Sequence, residues 1–203
     1  MNLLATILIL DERLFLTINN LFHTPILDWF FLFFSFYPLI IWFAIGLVVT
    51  FIEERKEKIF IIRLVVALML AGTFASVLIK PIIRRPRPDI SHGVSVVIVE
   101  EKPATIPFNN DFAFPSGHAA VAFAGAYIVT REETRKRHRS HSLHYKRLAG
   151  WIFYAIATLT AFSRIYLGKH YPLDVVAGAL LGIAVGWVSW KLTDLFKPQT
   201  VYS

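Results

Sequence analysis

The chain has 203 residues, 56% of them hydrophobic and 15% aromatic, and its mean hydropathy of +0.56 exceeds what a soluble globular domain ordinarily carries. Cysteine is absent, which excludes disulfides and thiolate metal sites and leaves the redox compartment open. The net charge of +7 does not signal nucleic-acid binding, because the basic residues lie between long apolar runs rather than on one soluble face. The expectation is an all-α, polytopic membrane helix bundle forming a single domain over residues 1–203.

In chain order, residues 1–25 alternate Leu-rich patches with Asp11, Glu12, Arg13, Asn19 and Asn20, which interrupt any membrane-length run. This stretch is expected to be a helix lying in the interface, and it has neither the basic start nor the small-residue cleavage pattern of a signal peptide. Five segments then approach the ~20 residues needed to cross a hydrocarbon core of ~30 Å: Ile26 to Ile52, Ile59 to Ile83, Phe114 to Thr130, Leu148 to Tyr166 and Asp174 to Phe196. No internal repeat or low-complexity tract is present.

Lys and Arg concentrate in the turn at Arg55, Lys56 and Lys58 and in the loop at 131–147, which places those loops on the cytoplasmic side and the 84–112 loop outside. His138, His141 and His144 in the basic loop lack carboxylate or Cys company, so that loop reads as a solvated topogenic segment touching anionic lipid. With this orientation, the ends of four different spans carry their unusual polar residues to one outer face. There Lys80, Arg84, Arg85, Arg87 and Arg164 supply fixed positive charge, and guanidinium forks match phosphate oxygens. Pro115, Ser116 and Gly117 open a helix whose first amides can cradle an anion. His118 arrives on that helix, and His170 and Asp174 stand four residues apart across a proline at another helix start. Each feature alone has a bland explanation, as a snorkelling anchor or a helix start. Together, two histidines, a carboxylate and several cations are equipment for phosphoryl transfer, with no obvious metal ligands.

Three ordered motifs resemble the type 2 phosphatidic acid phosphatases, which share their phosphate site with vanadium-dependent haloperoxidases. They are Lys80, six residues, Arg87-Pro88; Pro115-Ser116-Gly117-His118; and Ser163-Arg164, five residues, His170, three residues, Asp174. No signature position departs from the pattern. The resemblance implies that His170 attacks phosphorus to form a phosphohistidine, that Asp174 fixes its tautomer, and that His118 protonates the leaving oxygen and then activates water. It further implies that Lys80, Arg87, Ser116, the Gly117 amide and Arg164 hold the phosphate oxygens, without metal or other cofactor. Arg84 and Arg85 lie between signature positions, and their contact with a head group stays open.

The implied partners are the bilayer and a membrane lipid phosphate, with the site on the outer, periplasmic face of a bacterial inner membrane. Undecaprenyl diphosphate is the first expectation for the substrate. Phosphatidylglycerophosphate, phosphatidic acid and lipid A 1-phosphate are the alternatives. A soluble haloperoxidase is disfavoured by the membrane-length runs, and a non-catalytic lipid-phosphate binding or flipping protein would have no need of the His118, His170 and Asp174 set. The insert from Ser91 to Phe112 can be a lid or a connector. Small residues from Ala119 to Ala126 and from Ala177 to Gly186 allow close helix approach.

Overall fold

The structure, a computed structural model, describes residues 2–21, 23–52, 58–88, 96–99, 112–136 and 143–195. Among these the elements are helical: α1 Leu3–Asn19, α2 Pro25–Phe36, α3 Pro38–Ile52, α4 from Lys58 to Ile83, α5 Gly117–Lys136, α6 Leu143–Tyr166 and α7 Pro172–Leu195. Thr24 caps α2 by accepting from the Leu27 amide at 3.3 Å, with Pro25 in the first turn, the arrangement expected of a Thr-Pro helix start.

The expected first span is broken. Pro38 has no N–H and disfavours helical geometry at the residue before it; Tyr37 leaves the helix at φ −119°, and the flanking helices bend by 76°. Among the described residues, the runs Ile59–Ile83 and Pro172–Leu195 are long and apolar enough to cross a membrane alone, and the bent α2–α3 pair adds a third span if it counts as one. α5 and α6 are long enough but less apolar. The reason for α5 is its charged last turn, Arg131 to Lys136; Ala119, Ala120, Ala122, Ala124 and Ala126 are fully buried, so that part of the helix faces protein. α5 continues to Lys136 and α6 starts at Leu143, so helix extends into both ends of the 131–147 loop, whose middle lies outside the described residues.

α5 is the central helix, packed on α3, α4, α6 and α7, most extensively on α7. Small residues make this possible. A Cβ on Gly178 would strike the Ser116 carbonyl, and one on Gly182 the Ala120 carbonyl, so α7 lies directly on the backbone of α5. At the far end of this packing Arg63 is fully buried. It donates to Glu132 at 3.2 Å, to Thr193 Oγ1 at 3.0 Å and to Asp194, and lies 4.1 Å over the Trp190 ring. One guanidinium thus ties α4, α5 and α7 together.

α1 departs from a simple surface helix. Asp11, Phe15 and Asn19 are buried, and the Asn19 amide donates to the carbonyls of Val97 and Tyr166 at 2.9 Å each while accepting from the Val97 amide at 2.9 Å. Of the polar residues that break the apolar run of α1, Asp11 and Asn19 point into the bundle, while Arg13 and Asn20 are exposed.

Candidate active site

The first motif is shaped by an irregularity in α4. Residues Phe74–Ile79 form a π-helical segment immediately before Lys80, a feature that often accompanies functional sites, and Lys80 is buried at the end of it. Arg84 then takes the left-handed conformation at φ 52° and donates to the Pro81 carbonyl at 2.7 Å, which ends the helix. The chain runs on to meet the residues before the second motif. The Ala113 amide donates to the Arg85 carbonyl at 2.7 Å, and Pro86 bridges to Phe112. Two motifs distant in sequence are thereby joined by backbone.

The second motif docks on the third in the same way. Ser116 is fully buried; its amide donates to the Asp174 carbonyl at 2.9 Å, and its Oγ lies 3.5 Å from the Ala119 amide. Gly117 and the half-buried His118 follow on the first turn of α5. In the third motif, Ser163 Oγ donates to the Thr160 carbonyl at 2.7 Å, and Arg164, also buried, donates to Ser35 Oγ of α2. The Arg164 carbonyl accepts from the amides of Lys169 and His170 at 2.9 and 3.1 Å. Gly168 makes this turn possible, because its φ is 76° and a Cβ there would lie 2.8 Å from the Val97 carbonyl.

The turn delivers His170, only 1% exposed, beside the fully buried Asp174. Their separation, Nδ1 to Oδ2, is 3.7 Å, longer than a hydrogen bond. Among the described residues, His170 Nδ1 has no hydrogen-bond partner. The carboxylate is held instead by two N–H donors: the Tyr171 amide on Oδ2 at 2.9 Å and Arg85 Nη1 on Oδ1 at 2.7 Å. Arg85, left open by the sequence, is therefore turned toward protein carboxylates, whereas Arg84 is exposed.

This geometry meets an independent match. The family model of the PAP2 superfamily covers residues 60–197. The chain belongs to the PAP2 superfamily. Undecaprenyl-diphosphatase BcrC of Bacillus subtilis is 26% identical over 190 residues, 93% of this chain and 87% of that one. Lipid A 4'-phosphatase of Bacteroides thetaiotaomicron is 26% identical over 203 residues, 94% of this chain and 82% of that one. The crystal structure of Aquifex aeolicus LpxE aligns with a TM-score of 0.65 at 31% identity, covering 90% of this chain and 95% of that one. The chain is thus an enzyme of a membrane lipid phosphatase family, with its apolar spans making it an integral membrane protein.

In this PAP2 phosphatase the cations of the first and third motifs converge on one imidazole. Burial, and then the charges of Arg164, Arg87 and Lys80, hold His170 well below the usual histidine value of 6.5, so the ring is neutral near pH 7. Burial also acts against the charge of Arg85, but Asp174 and Asp11 outweigh it and raise its pKa. Among the described residues no group of three or more His, Asp or Glu side chains is placed to hold a metal. Three contributors escaped the sequence reading: Asp11, Arg85 as a carboxylate partner, and Ser35. The available signal was a lone polar residue inside an apolar run at Ser35, whereas Asp11 stands in an Asp-Glu-Arg trio that did not mark which residue turns inward.

Proposed function

We propose that this PAP2 enzyme removes phosphate from a membrane lipid through a phosphohistidine on His170, with undecaprenyl diphosphate as its substrate. The observation that carries the reading is a buried, neutral imidazole on which Lys80, Arg87 and Arg164 all act, with Asp174 Oδ2 at 3.7 Å behind it. A neutral ring retains the lone pair that a nucleophile needs, and the cations supply the field that an incoming phosphate balances.

In the first step the His170 Nε2 lone pair attacks phosphorus while the bond from phosphorus to the leaving oxygen breaks, and His118 gives that oxygen its proton. Asp174 closes from 3.7 Å to hydrogen-bonding distance, accepting from Nδ1–H as the ring gains positive charge; catalytic hydrogen bonds are often long before substrate arrives. In the second step His118 takes a proton from water, the oxygen attacks phosphorus, and the P–N bond breaks. Inorganic phosphate leaves and His170 is neutral again. Lys80, Arg87, Arg164, the Ser116 hydroxyl and the Gly117 amide hold the non-bridging oxygens throughout.

The site lies at the outer ends of α4, α5 and α7, so the phosphate is handled at the membrane surface while the lipid tail stays in the bilayer. BcrC, named as an undecaprenyl-diphosphatase and aligned over 93% of this chain, supports that substrate first; the lipid A 4'-phosphatase supports a saccharide-linked lipid phosphate second. The deciding assay is phosphate release by purified protein in detergent with EDTA from undecaprenyl diphosphate, phosphatidylglycerophosphate, phosphatidic acid and lipid A 1-phosphate. The expected result is fastest turnover of undecaprenyl diphosphate, abolished by at least about 10³-fold in His170→Ala. Turnover of another lipid with undecaprenyl diphosphate left intact would refute the substrate, and equal release by His170→Ala would refute the phosphohistidine.

A further inference from the structure

Arg85 is spent on protein carboxylates. Its Nη1 donates to Asp174 Oδ1 at 2.7 Å, its Nη2 to Asp11 Oδ2 at 2.6 Å, and its guanidinium lies 4.0 Å over the Tyr171 ring. Asp11 completes the arrangement with its other oxygen, which accepts from the Leu173 amide in the first turn of α7 at 2.8 Å. Both carboxylates are buried, Asp11 at 3% and Asp174 at 0% exposure. None of these contacts involves a signature residue other than Asp174.

We propose that Arg85, braced by Asp11 from the N-terminal helix, is a positioning residue for the His170–Asp174 pair in the phosphatase reaction assigned above, on which this inference rests. With Oδ1 held by Arg85, Asp174 turns Oδ2 toward Nδ1 of His170. The Tyr171 ring under the guanidinium fixes the same turn from the other side, and Asp11 anchors the helix start that carries Asp174. Arg85 therefore sets the approach and angle of the carboxylate that must close on the imidazole as His170 attacks, while Arg87, two residues on, acts directly on the His170 side. A planar fork bridging two carboxylates is work that a lysine does not reproduce. α1 is on this view part of the catalytic apparatus rather than an accessory lying on the membrane.

The test is steady-state kinetics of Arg85→Gln, Arg85→Lys, Asp11→Asn and the exposed neighbour Arg84→Ala on whichever lipid phosphate the wild type hydrolyses fastest. Arg85→Gln is expected to lower kcat about 10²-fold with KM within about threefold, and Arg85→Lys to recover little of it. Asp11→Asn keeps an acceptor for Leu173 and is expected to lose about 3- to 10-fold in kcat alone. Arg84→Ala, whose guanidinium donates to the Pro81 carbonyl rather than to Asp11 or Asp174, should lose far less kcat than Arg85→Gln. Added guanidinium should restore part of the rate to Arg85→Ala, a readout that a merely structural role would not move. Three results would overturn the inference: wild-type kcat in Arg85→Gln; a loss confined to KM, which would make Arg85 a phosphate ligand; or unfolding of the Arg85 variants together with full kcat in Asp11→Asn. A wild type inactive on every lipid, with His170→Ala indistinguishable from it, would instead remove the phosphatase reading itself and this inference with it.

Discussion

The bundle buries charge at both ends, and the two clusters differ in one respect that separates scaffold from site. At the end where α4 begins, Arg63 and Arg135 meet Glu132 and Asp194, two cations for two anions, with Thr193 and Trp190 filling the remaining positions around Arg63. At the end where α4 stops, Lys80, Arg85, Arg87 and Arg164 surround His170 and Asp174, and the carboxylates among them are Asp11 and Asp174. Among the described contacts the first cluster sets each cation against an anion, while in the second Lys80, Arg87 and Arg164 act on His170 itself; on the function proposed above, the same residue types make a clasp in one place and a phosphate receptor in the other.

Substitution should break the two ends in opposite ways. Arg63→Met removes one of the two guanidinium partners of the buried Glu132 together with the partner of Asp194 and is expected to cost about 3–5 kcal/mol of stability, read by denaturant or thermal unfolding in detergent, while protein that remains folded keeps its kcat. Arg164→Met should do the reverse. It is expected to lose about 10²- to 10³-fold in kcat with an unchanged or higher Tm, because it removes one of the mutually repelling cations. Orthovanadate, a phosphate mimic, should raise the Tm of wild type, by the equivalent of about 2.7 kcal/mol at a hundred times its Kd, and leave that of Arg164→Met in place. A vanadate shift of equal size in both proteins would dissolve the contrast.

The smallest expected effect is on pH dependence. His170 titrates below 6.5 when folded, so the unfolded chain takes up its proton first. Stability that is complete above about pH 6.5 should therefore decline as pH falls toward the folded value, and His170→Asn should flatten that part of a Tm profile. An identical acid slope in the variant would point to other groups.

The sequence made the three motifs and their meeting legible because their residue types and spacings carry chemistry directly: in the fold the cations of the first and third act on His170, and the second docks on the third through the Ser116 amide and the Asp174 carbonyl. It was less informative about the first span, where a continuous apolar run conceals the bend that Pro38 produces. Asp11 was misread for a different reason: hydropathy treats a carboxylate in an apolar helix as an interruption, while the fold uses it as a contact across 162 positions, to Leu173. Ser35, in a run of phenylalanines, was silent for the same reason until its partner Arg164 could be seen. α5 shows the converse: its charged last turn lowers its hydropathy, yet it lies at the centre of the bundle, where small side chains rather than hydropathy decide the packing.

The clasp on Arg85 also sets an order of assembly during synthesis. Asp11 precedes Arg85 by 74 positions, whereas Asp174 follows it by 89. At translation rates of about 5–20 residues per second, that interval lasts roughly 5–20 s, during which Asp11 is the carboxylate partner already made. The N-terminal helix can hold the arginine in reserve until α7 is made, so the clasp closes only after Asp174 has joined the chain.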